Sequence, residues 1–413
     1  MAERDLMTAE EATAALNVRA QTLYSYVSRG LVRSIGQPGK RGRFYAAEDI
    51  AKLKARAAAR AGHGPTAASA MQFGQPIIPT RLVELTVDGP RYRGHLATDL
   101  AARGVSFEAV AELLWTGRPP DTPIRWRAQP MPTQTVALIS GMQDAGFEHL
   151  LEKFSLIALS IGMHRGSVAD RVEEGNPIAA ARQLVQAFTA CFGLVSPRRA
   201  LAPVDDRQGI AEALASALVI PASDENVEAL SALLVLFADH ELSPGTFAAR
   251  IAASSGSALH PCIVAAICTH MGLRIGRLYD AVENSLDHAE TPGRLDEVAR
   301  RLIDRGEVPP GFMQPLYPEG DPRGRYILDL IRKRHDPSPS VVAIFAHIDA
   351  MWDEARLRPR HELAAAILAL AIGLPRRSAG ALFALARLAG LVAHVLEQRQ
   401  DGALLRPRAK FVG

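Results

Sequence analysis

The stretch that decides the fold is AGALFALARLAGLVA, residues 379–393, whose only charged side chain is that of Arg387. A segment of this length that is apolar on every face is typical of a helix buried in a protein core. An unpaired guanidinium buried there would be costly, so we expect Arg387 to contact a carboxylate or another anion. The stretch therefore predicts a core helix that carries one cation with a specific partner.

Outward from this stretch, the chain from Ala70 onward is predicted to be mostly helical, because its apolar residues recur at helical spacing. The clearest predicted helices are residues 107–115, 133–144, 178–192, 208–219 and 226–240. One exception is residues 82–92, where alternation around Asp88-Gly89 predicts a β-hairpin. The predicted fold class is therefore all-α with one short hairpin.

The composition is that of an ordinary globular protein. With 413 residues, of which 48% are hydrophobic and 22% are charged, wholesale disorder is excluded, and about 150 residues per domain predicts two or three domains. Three cysteines are too few for a disulfide framework, which favours a cytoplasmic protein. The N-terminus lacks a hydrophobic signal segment, and the longest uncharged apolar run, residues 363–374, is too short for a membrane span. No membrane partner is predicted.

The net charge of +3 conceals an uneven distribution. Residues 1–63 carry 11 Lys and Arg against 6 Asp and Glu, which leaves 36 against 38 for the remainder of the chain. Small residues with glycine and proline occupy 61–69, which is typical of a linker. We therefore predict a basic domain at residues 1–62, a linker at 63–75 and a larger domain at 76–413.

The basic domain has the layout of a DNA-binding unit. Thr8 followed by Glu11 is a capping-box pattern that opens a first helix, and a second helix is predicted over 19–28. A basic, turn-rich loop at 36–45 and a third helix at 47–60 complete the domain. This order resembles the winged helix-turn-helix of the MerR and excisionase type, whose second helix enters the major groove of DNA.

That resemblance implies that the second helix and the wing contact DNA. The residues predicted to do so are Arg19, Gln21, Thr22, Ser25, Arg29, Lys40, Arg41 and Arg43. A small basic helical module that contacts proteins is the alternative interpretation. In a symmetric dimer, two such units would favour a palindromic DNA site.

Sequence islands in the larger domain resemble the citrate synthase family. The matching islands are RYRG at 91–94, VAELLW at 110–115, DHEL at 239–242, TFAAR at 246–250, PEGDPR at 318–323 and RPR at 406–408. The likeness extends from about Met71 to the C-terminus. It implies a homodimer with a two-domain helical fold, in which a small domain at approximately 277–375 is inserted in a large one.

The resemblance also implies a binding site for a di- or tricarboxylate. Its residues would be His240, Arg323, Arg387 and Arg406, the last reaching in from the partner subunit. Arginine suits this role because its planar fork meets a carboxylate with two charge-assisted hydrogen bonds. A structural role stays open at two positions, since His240 also suits a helix end and Arg406 a solvated tail.

The family's chemistry needs a carboxylate that removes a proton from the α-carbon of an acyl-CoA, and two histidines that bind the reacting oxygens. The matching positions hold Glu362 in place of aspartate, Ile275 in place of one histidine and Gln314 in place of the other. Isoleucine has no hydrogen-bonding group and glutamine cannot transfer a proton. Loss of one oxyanion donor typically lowers a rate by about 10²–10³, so these changes predict impaired catalysis.

Nearby residues offer replacements for the missing groups. His270, His361 and Tyr279 lie close in sequence to the substituted positions and form an alternative catalytic set. A metal site is not predicted, although histidines and cysteines cluster at 260–270. Cys262 and Cys268 would lie about 240° apart around a helix, hence on different faces.

Three functions fit these observations. The leading hypothesis is a catalytically impaired family member that binds a di- or tricarboxylate, with an acyl-CoA as a further ligand, and couples this to DNA binding. The alternative is an active acyltransferase that condenses acetyl-CoA or propionyl-CoA with oxaloacetate, as a citrate or 2-methylcitrate synthase does. A third is a non-catalytic subunit that forms a heterodimer with an intact paralogue. No cofactor besides the acyl-CoA is predicted.

Overall fold

The structure is a computed structural model in which the chain divides into two compact units, Thr80–Leu405 and Met1–Pro79 together with Arg406–Gly413. We call the first unit the body and the second the N-terminal unit. The structure describes residues 6–16, 18–28, 32–36, 43–47, 49–51, 78–119, 124–142, 149–165, 176–287, 289, 291, 293–314 and 316–407. The predicted linker at 63–75 lies outside these residues, and the predicted domain boundaries stay predictions.

Among its described residues, the N-terminal unit has two short helices and a three-stranded antiparallel sheet. The elements are β1 (Leu6–Met7), α1 (Ala9–Leu16), α2 (Ala20–Ser28), β2 (Ser34–Gly36) and β3 (Arg43–Ala46). The strands lie in the order β1-β3-β2. The predicted capping box is confirmed, because Glu11 N donates to Thr8 Oγ1 at 3.2 Å and Thr8 N donates to Glu11 Oε2 at 2.7 Å. The first two predicted helices are therefore present.

The residues predicted to contact DNA lie only partly within the described residues. Those that are exposed are Arg19, Gln21 and Arg43, and those that are half-buried are Thr22 and Ser25. Those outside the described residues are Arg29, Lys40 and Arg41. Most of the third helix predicted over 47–60 also lies outside them. The DNA-binding role of this unit stays a prediction.

The body opens with the predicted hairpin. Strand β4, Val83–Thr86, pairs with β5, Gly89–Tyr92, and β5 pairs with β6, His95–Leu96, all antiparallel. Gly89 lies opposite Thr86 at the turn with a φ of +123°, a conformation that a side chain would strain. The hairpin places Tyr92, at the end of β5, in the core with 0% exposure.

The rest of the body is mostly helical. Its helices are α3, Ala97–Ala102; α4, Phe107–Thr116; α5, Thr133–Ser140; α6, Leu150–Arg165; α7, Asn176–Val195; α8, Ile210–Leu218; α9, Asp224–Leu236; α10, Pro244–Ser254; α11, Leu259–His270; α12, Arg277–Ser285; α13, Arg294–Ile303; α14, Pro322–Arg332; α15, Pro339–Ala355; α16, His361–Ala371; and α17, Ser378–Asp401. The predicted all-α class is confirmed. The predicted helices that became α4, α7 and α8 agree within three residues at each end.

Two predicted helices are too long at their C-terminal ends. Helix α5 ends at Ser140, and a turn follows it. Helix α9 ends at Leu236 rather than at residue 240, because the Asp239 carboxylate accepts a hydrogen bond from Glu241 N at 2.6 Å. Glu241 also has a φ of 52°, which no helix tolerates. Because of this turn, Asp239 and His240 lie beyond the end of α9 and are not part of the helix.

Helix α17 is the predicted core helix, and it is longer than predicted. Every residue from Ser378 to Val395 is buried, and the helix packs against α4, α9, α10, α11 and α16. Two helices, Pro177–Val195 and Ser378–Asp401, are long and apolar enough to cross a membrane. However, 78% and 89% of their apolar windows are buried inside the protein, which is the environment of a core helix.

Candidate functional site

The cation of the core helix has a carboxylate partner. Arg387 Nη1 donates to Asp239 Oδ2 at 3.1 Å, and the two side chains are 4% and 0% exposed. The same nitrogen donates to the carbonyl oxygen of Ala238 at 3.1 Å, and Nη2 donates to Thr246 Oγ1 at 2.6 Å. The prediction that Arg387 meets a carboxylate is therefore confirmed.

Asp239 is held in its ionised form. His394 Nε2 lies 3.3 Å from Asp239 Oδ2. Burial raises the pKa of Asp239, but the Arg387 guanidinium and the His394 ring outweigh burial and lower the pKa to about 2. Gly390 permits this packing, since a side chain there would collide with the Asp239 carboxylate and the Arg387 guanidinium. Asp239 is thus a carboxylate at neutral pH.

A second buried ion pair lies at the start of α14. Arg323 Nε and Nη2 donate to Asp321 Oδ1 and Oδ2 at 3.0 and 2.7 Å, and both side chains are at most 1% exposed. Burial raises the pKa of Asp321, but Arg323 and His361 outweigh burial and hold it well below the usual range. Because this carboxylate can only accept, His361 Nδ1, at 2.9 Å from Oδ2, carries the proton and donates.

The His240 ring is neutral, and one of its two nitrogens carries a proton that it can donate. Arg323 Nη1 donates to His240 Nδ1 at 2.7 Å. Since a guanidinium can only donate, His240 Nδ1 is the acceptor and the ring proton lies on Nε2. Burial, followed by the positive charge of Arg323, lowers the pKa of His240 well below its ordinary value. His240 therefore offers an Nε2–H group to a ligand.

Aromatic rings fill the space beside these two ion pairs. The ring centroid of Phe383 lies 5.2 Å from that of His270, 5.3 Å from Tyr279, 6.0 Å from His361 and 6.1 Å from His240. Phe383 precedes Arg387 by one turn of α17, so both side chains lie on the same face. The structure therefore brings together the three residues predicted as an alternative catalytic set.

Two polar atoms in this aromatic group have no hydrogen-bond partner among the described residues. They are the Tyr279 hydroxyl oxygen and Nε2 of His270. Burial, and then the charge of Glu362, raise the pKa of Tyr279 well above its ordinary value, so its hydroxyl stays protonated. Burial, and then the charge of Arg387, lower the pKa of His270 to about 4, so its ring is neutral.

Of the three substituted positions, Glu362 has the clearest link to this site. It is 4% exposed, and Arg360 Nη2 and Nε donate to its two carboxylate oxygens at 2.6 and 3.1 Å. Gln314 is buried in a segment that runs beside Arg360, whose N–H donates to the carbonyl oxygen of Gly311 at 2.7 Å. Ile275 is half-buried in the turn between α11 and α12. The expected helix start near residue 361, which puts Glu362 in the first turn of α16, is confirmed.

The fourth predicted ligand residue is not part of this buried group. Arg406 is exposed and belongs to the N-terminal unit, so its role in a partner subunit stays a prediction. Within the part of the chain that the structure describes, no group of three or more His, Cys, Asp and Glu side chains is arranged to hold a metal ion.

Two internal anions and the central aromatic ring of the site are absent from the residues predicted from the sequence. Asp239 lies in the DHEL island and Asp321 in the PEGDPR island. Roles were predicted only for their neighbours, His240 and Arg323. Phe383 carried a signal in its spacing, because it precedes Arg387 by four residues and so shares its helix face. Helical spacing around the one charged residue would therefore have found it.

Comparison with known proteins places most of the chain in a family. The family model described as citrate synthase, C-terminal domain, matches residues 74–408. Citrate synthase 2 of Bacillus subtilis is 28% identical over 337 residues, which cover 78% of this chain and 90% of the relative. The 2-methylcitrate synthase of Shewanella oneidensis is 26% identical over 358 residues, which cover 82% of this chain and 93% of the relative.

Solved structures show the same fold. Citrate synthase from Thermotoga maritima superposes with a TM-score of 0.68 at 20% identity, covering 82% of this chain and 94% of that one. Citrate synthase from Thermoplasma acidophilum, in a ternary complex with carboxymethyl coenzyme A and oxaloacetate, gives 0.68 at 22% identity with the same coverage. The body therefore has the mostly helical fold of these proteins.

Proposed function

The chain belongs to the citrate synthase family, and from that premise we propose that it is a C-acyltransferase that joins an acyl-CoA to a 2-oxo dicarboxylate of the oxaloacetate type. The observation that carries the proposal is the group of His240, Arg323 and Arg387, whose two guanidiniums are buried. The Glu362 carboxylate lies beside it, because His361 Nδ1 is 2.9 Å from Asp321 Oδ2 and 3.3 Å from Glu362 Oε2. Relatives named citrate synthase and 2-methylcitrate synthase support acetyl-CoA and propionyl-CoA as the acyl donors.

The charged groups suit the 2-oxo dicarboxylate. Arg323 and Arg387 each bind their internal partners through three hydrogen bonds, so further N–H groups of each fork are left for the ligand. His240 adds a neutral Nε2–H donor that suits the keto or carboxylate oxygen. The internal carboxylates, Asp239 and Asp321, hold both forks in place before the ligand arrives, so binding needs little reorganisation.

The acyl side of the proposed reaction depends on Glu362. Its carboxylate takes a proton from the α-carbon of the acyl-CoA, and the resulting enolate attacks the keto carbon of the dicarboxylate. Water then cleaves the thioester and releases CoA. Arg360 orients the carboxylate with a fork of two hydrogen bonds. We extend the proposal to a homodimer in which Arg406 of each subunit completes the site of the other.

The direct test is steady-state release of free CoA from acetyl-CoA or propionyl-CoA with oxaloacetate. We expect His240→Gln and Arg387→Lys to lower kcat/KM for oxaloacetate at least 10²-fold, because each loses a donor that contacts the dicarboxylate. Arg332→Lys is the matched control, since Arg332 forms an exposed pair with Asp349 on the surface. Equal activity of all three variants, or no CoA release by the unmodified protein, would contradict the proposal.

A second candidate function is a ligand-responsive DNA-binding protein with little turnover. Ile275 and Gln314 favour it, because neither side chain does the work of a histidine, and the basic N-terminal unit favours it as well. Band-shift titration of the DNA upstream of its own gene, with and without citrate, oxaloacetate and CoA esters, tests this reading. We expect Arg19→Ala to weaken DNA binding about tenfold and Arg332→Ala to have no effect. CoA release within a hundredfold of ordinary enzymes of the family would count against it.

A further inference from the structure

Carbon–carbon bond formation at the α-carbon of a thioester needs two groups that act together. A base removes the α-proton, and a hydrogen-bond donor stabilises the negative charge that develops on the thioester oxygen. In the function proposed above the base is Glu362, while Ile275 has no hydrogen-bonding group with which to serve as the donor. A donor must therefore come from another residue of the same buried site.

Tyr279 has the properties of that donor. It lies on α12, one helical turn after Ile275, and its side chain is 2% exposed. Its hydroxyl has no hydrogen-bond partner among the residues that the structure describes. A buried hydroxyl without a partner costs about 1–3 kcal/mol, and buried polar groups are otherwise nearly always paired. This hydroxyl therefore points to a partner that comes from outside the chain.

Tyr279 is also close to the proposed base. Its ring centroid lies 6.4 Å from that of His361, the residue next to Glu362. Burial, and then the charge of Glu362, raise the pKa of the Tyr279 hydroxyl well above its ordinary value. A carboxylate base and a neutral phenol donor thus belong to the same buried site.

His270 is the other unpaired residue of the aromatic group around Phe383, and it cannot supply the hydrogen bond. Its ring binds the Gly380 carbonyl, and since Nε2 lacks a partner, Nδ1 carries the proton for that bond. In a neutral ring the remaining atom, Nε2, has a lone pair and accepts. Of these two residues, only Tyr279 can donate to an oxyanion.

A cavity bordered by Gly380 lies close to Tyr279. It has a volume of about 340 Å³, and its lining includes Arg277, Asp280, Arg377 and Gly380. Gly380 also borders the tyrosine, since a Cβ built there would lie 3.5 Å from Tyr279 Cβ. Guanidinium groups suit the phosphates of a CoA ester, and the glycine leaves room for its acyl end.

We propose that the Tyr279 hydroxyl is the hydrogen-bond donor to the thioester oxygen of the acyl-CoA, an inference that rests on the function proposed above. Glu362 takes the α-proton, and the C–H electron pair forms a carbon–carbon double bond. The carbonyl π pair moves onto the oxygen, where the Tyr279 O–H binds it. Tyr279 keeps its proton throughout, and the enolate is then free to attack the keto carbon of the second substrate.

The test is Tyr279→Phe, which removes only the hydroxyl, with Tyr326→Phe on the half-buried face of α14 as the matched control. We expect Tyr279→Phe to lower kcat about 10²–10³-fold while changing KM for the acyl-CoA less than threefold. Its melting temperature should not fall, because the lost hydroxyl has no internal partner. Calorimetry should show at least tenfold weaker binding of carboxymethyl-CoA, whose carboxylate stands in for the enolate, and unchanged binding of oxaloacetate.

The outcomes separate this inference from the proposed function. If the unmodified protein releases CoA and Tyr279→Phe does so equally well, Tyr279 is not the donor and the proposed function stands. If no CoA is released but carboxymethyl-CoA binding depends on Tyr279, the proposed function is wrong and the hydroxyl is still the ligand contact. If neither release nor Tyr279-dependent binding is seen, both are overturned.

Discussion

The buried site has a charged half whose polar groups bind one another, and an aromatic half whose polar groups do not. In the charged half, Arg323 pairs with Asp321 and Arg387 with Asp239, and all four side chains are at most 4% exposed. These four residues bind one another, the backbone and neighbouring side chains in one internal network.

The aromatic half consists of Phe383, His270 and Tyr279, whose side chains are also buried. Its rings are in contact, yet Nε2 of His270 and the hydroxyl of Tyr279 lack hydrogen-bond partners within the described residues. A buried polar group without a partner lowers the free energy of unfolding. Removing one partner of a buried ion pair lowers it strongly, because the other charge is then buried without a partner. The difference teaches that opening an ion pair of the charged half will lower stability most, and that removing an unpaired group of the aromatic half will lower it least.

The largest effect is expected from opening one ion pair of the charged half. Asp321→Ala leaves the fully buried Arg323 guanidinium without its carboxylate, which should lower the free energy of unfolding by about 3–5 kcal/mol in urea titrations. Asp349→Ala is the control, because its pair with Arg332 is exposed and should contribute less than about 1 kcal/mol. Similar losses in both variants would show that the charged half is not a stabilising network.

The next effect concerns pH and Asp239. Its pKa in the folded protein is about 2, below the unfolded value of 3.8, so ionised Asp239 contributes stability that is present above pH 4. That contribution, on the order of 2 kcal/mol, is lost as the pH falls through about 2. Asp239→Asn should therefore flatten the decline of unfolding free energy between about pH 4 and pH 2. An unchanged slope would mean that Asp239 is not held ionised by Arg387.

A smaller loss is expected when a tyrosine with internal partners loses its hydroxyl. Tyr92 Oη donates to the carbonyl oxygen of Leu236 at 2.8 Å and accepts from Asp239 N at 3.3 Å. Tyr92→Phe leaves both backbone groups unpaired in the core, which should cost about 1.5 kcal/mol by chemical denaturation. No loss would indicate that water reaches these groups.

The smallest effect, and of opposite sign, is expected for the matching change in the aromatic half. Tyr279→Phe removes a buried hydroxyl that has no partner, so the free energy of unfolding should stay unchanged or rise by about 1 kcal/mol. Measured beside Tyr92→Phe under the same conditions, it compares two buried tyrosines that differ in pairing. A loss as large as that of Tyr92→Phe would place the hydroxyl in an internal network and remove the contrast between the halves.

Much of the fold could be predicted because local patterns determine it. The apolar stretch at 379–393 predicted the core helix, the Asp88-Gly89 alternation predicted the hairpin, and the capping box predicted α1. The resemblance to the citrate synthase family is confirmed by the family model. The premature end of α9 was missed, because the Asp239 side chain competes with the helix for backbone hydrogen bonds at a place where apolar spacing continues.

The site could be predicted only in part, for a different physical reason. Arg387 was expected to meet an anion from its burial alone, but its partner Asp239 is 148 residues away in sequence. No spacing rule links residues so far apart. Whether the Tyr279 hydroxyl finds a hydrogen-bond partner likewise depends on the polar groups of every neighbouring helix. Only the three-dimensional packing shows which of these groups are within reach.

One face of α17 touches both halves of the site. Phe383, Arg387, Gly390 and His394 recur at intervals of four, three and four residues, so they form a single stripe along one straight helix. The register of that helix therefore fixes the position of the aromatic half relative to the charged half. Insertion of a single residue after Phe383 would rotate the aromatic ring by about 100° relative to the arginine. Side chains along this stripe can be exchanged one at a time, whereas a change in the spacing between them would move the two halves relative to each other.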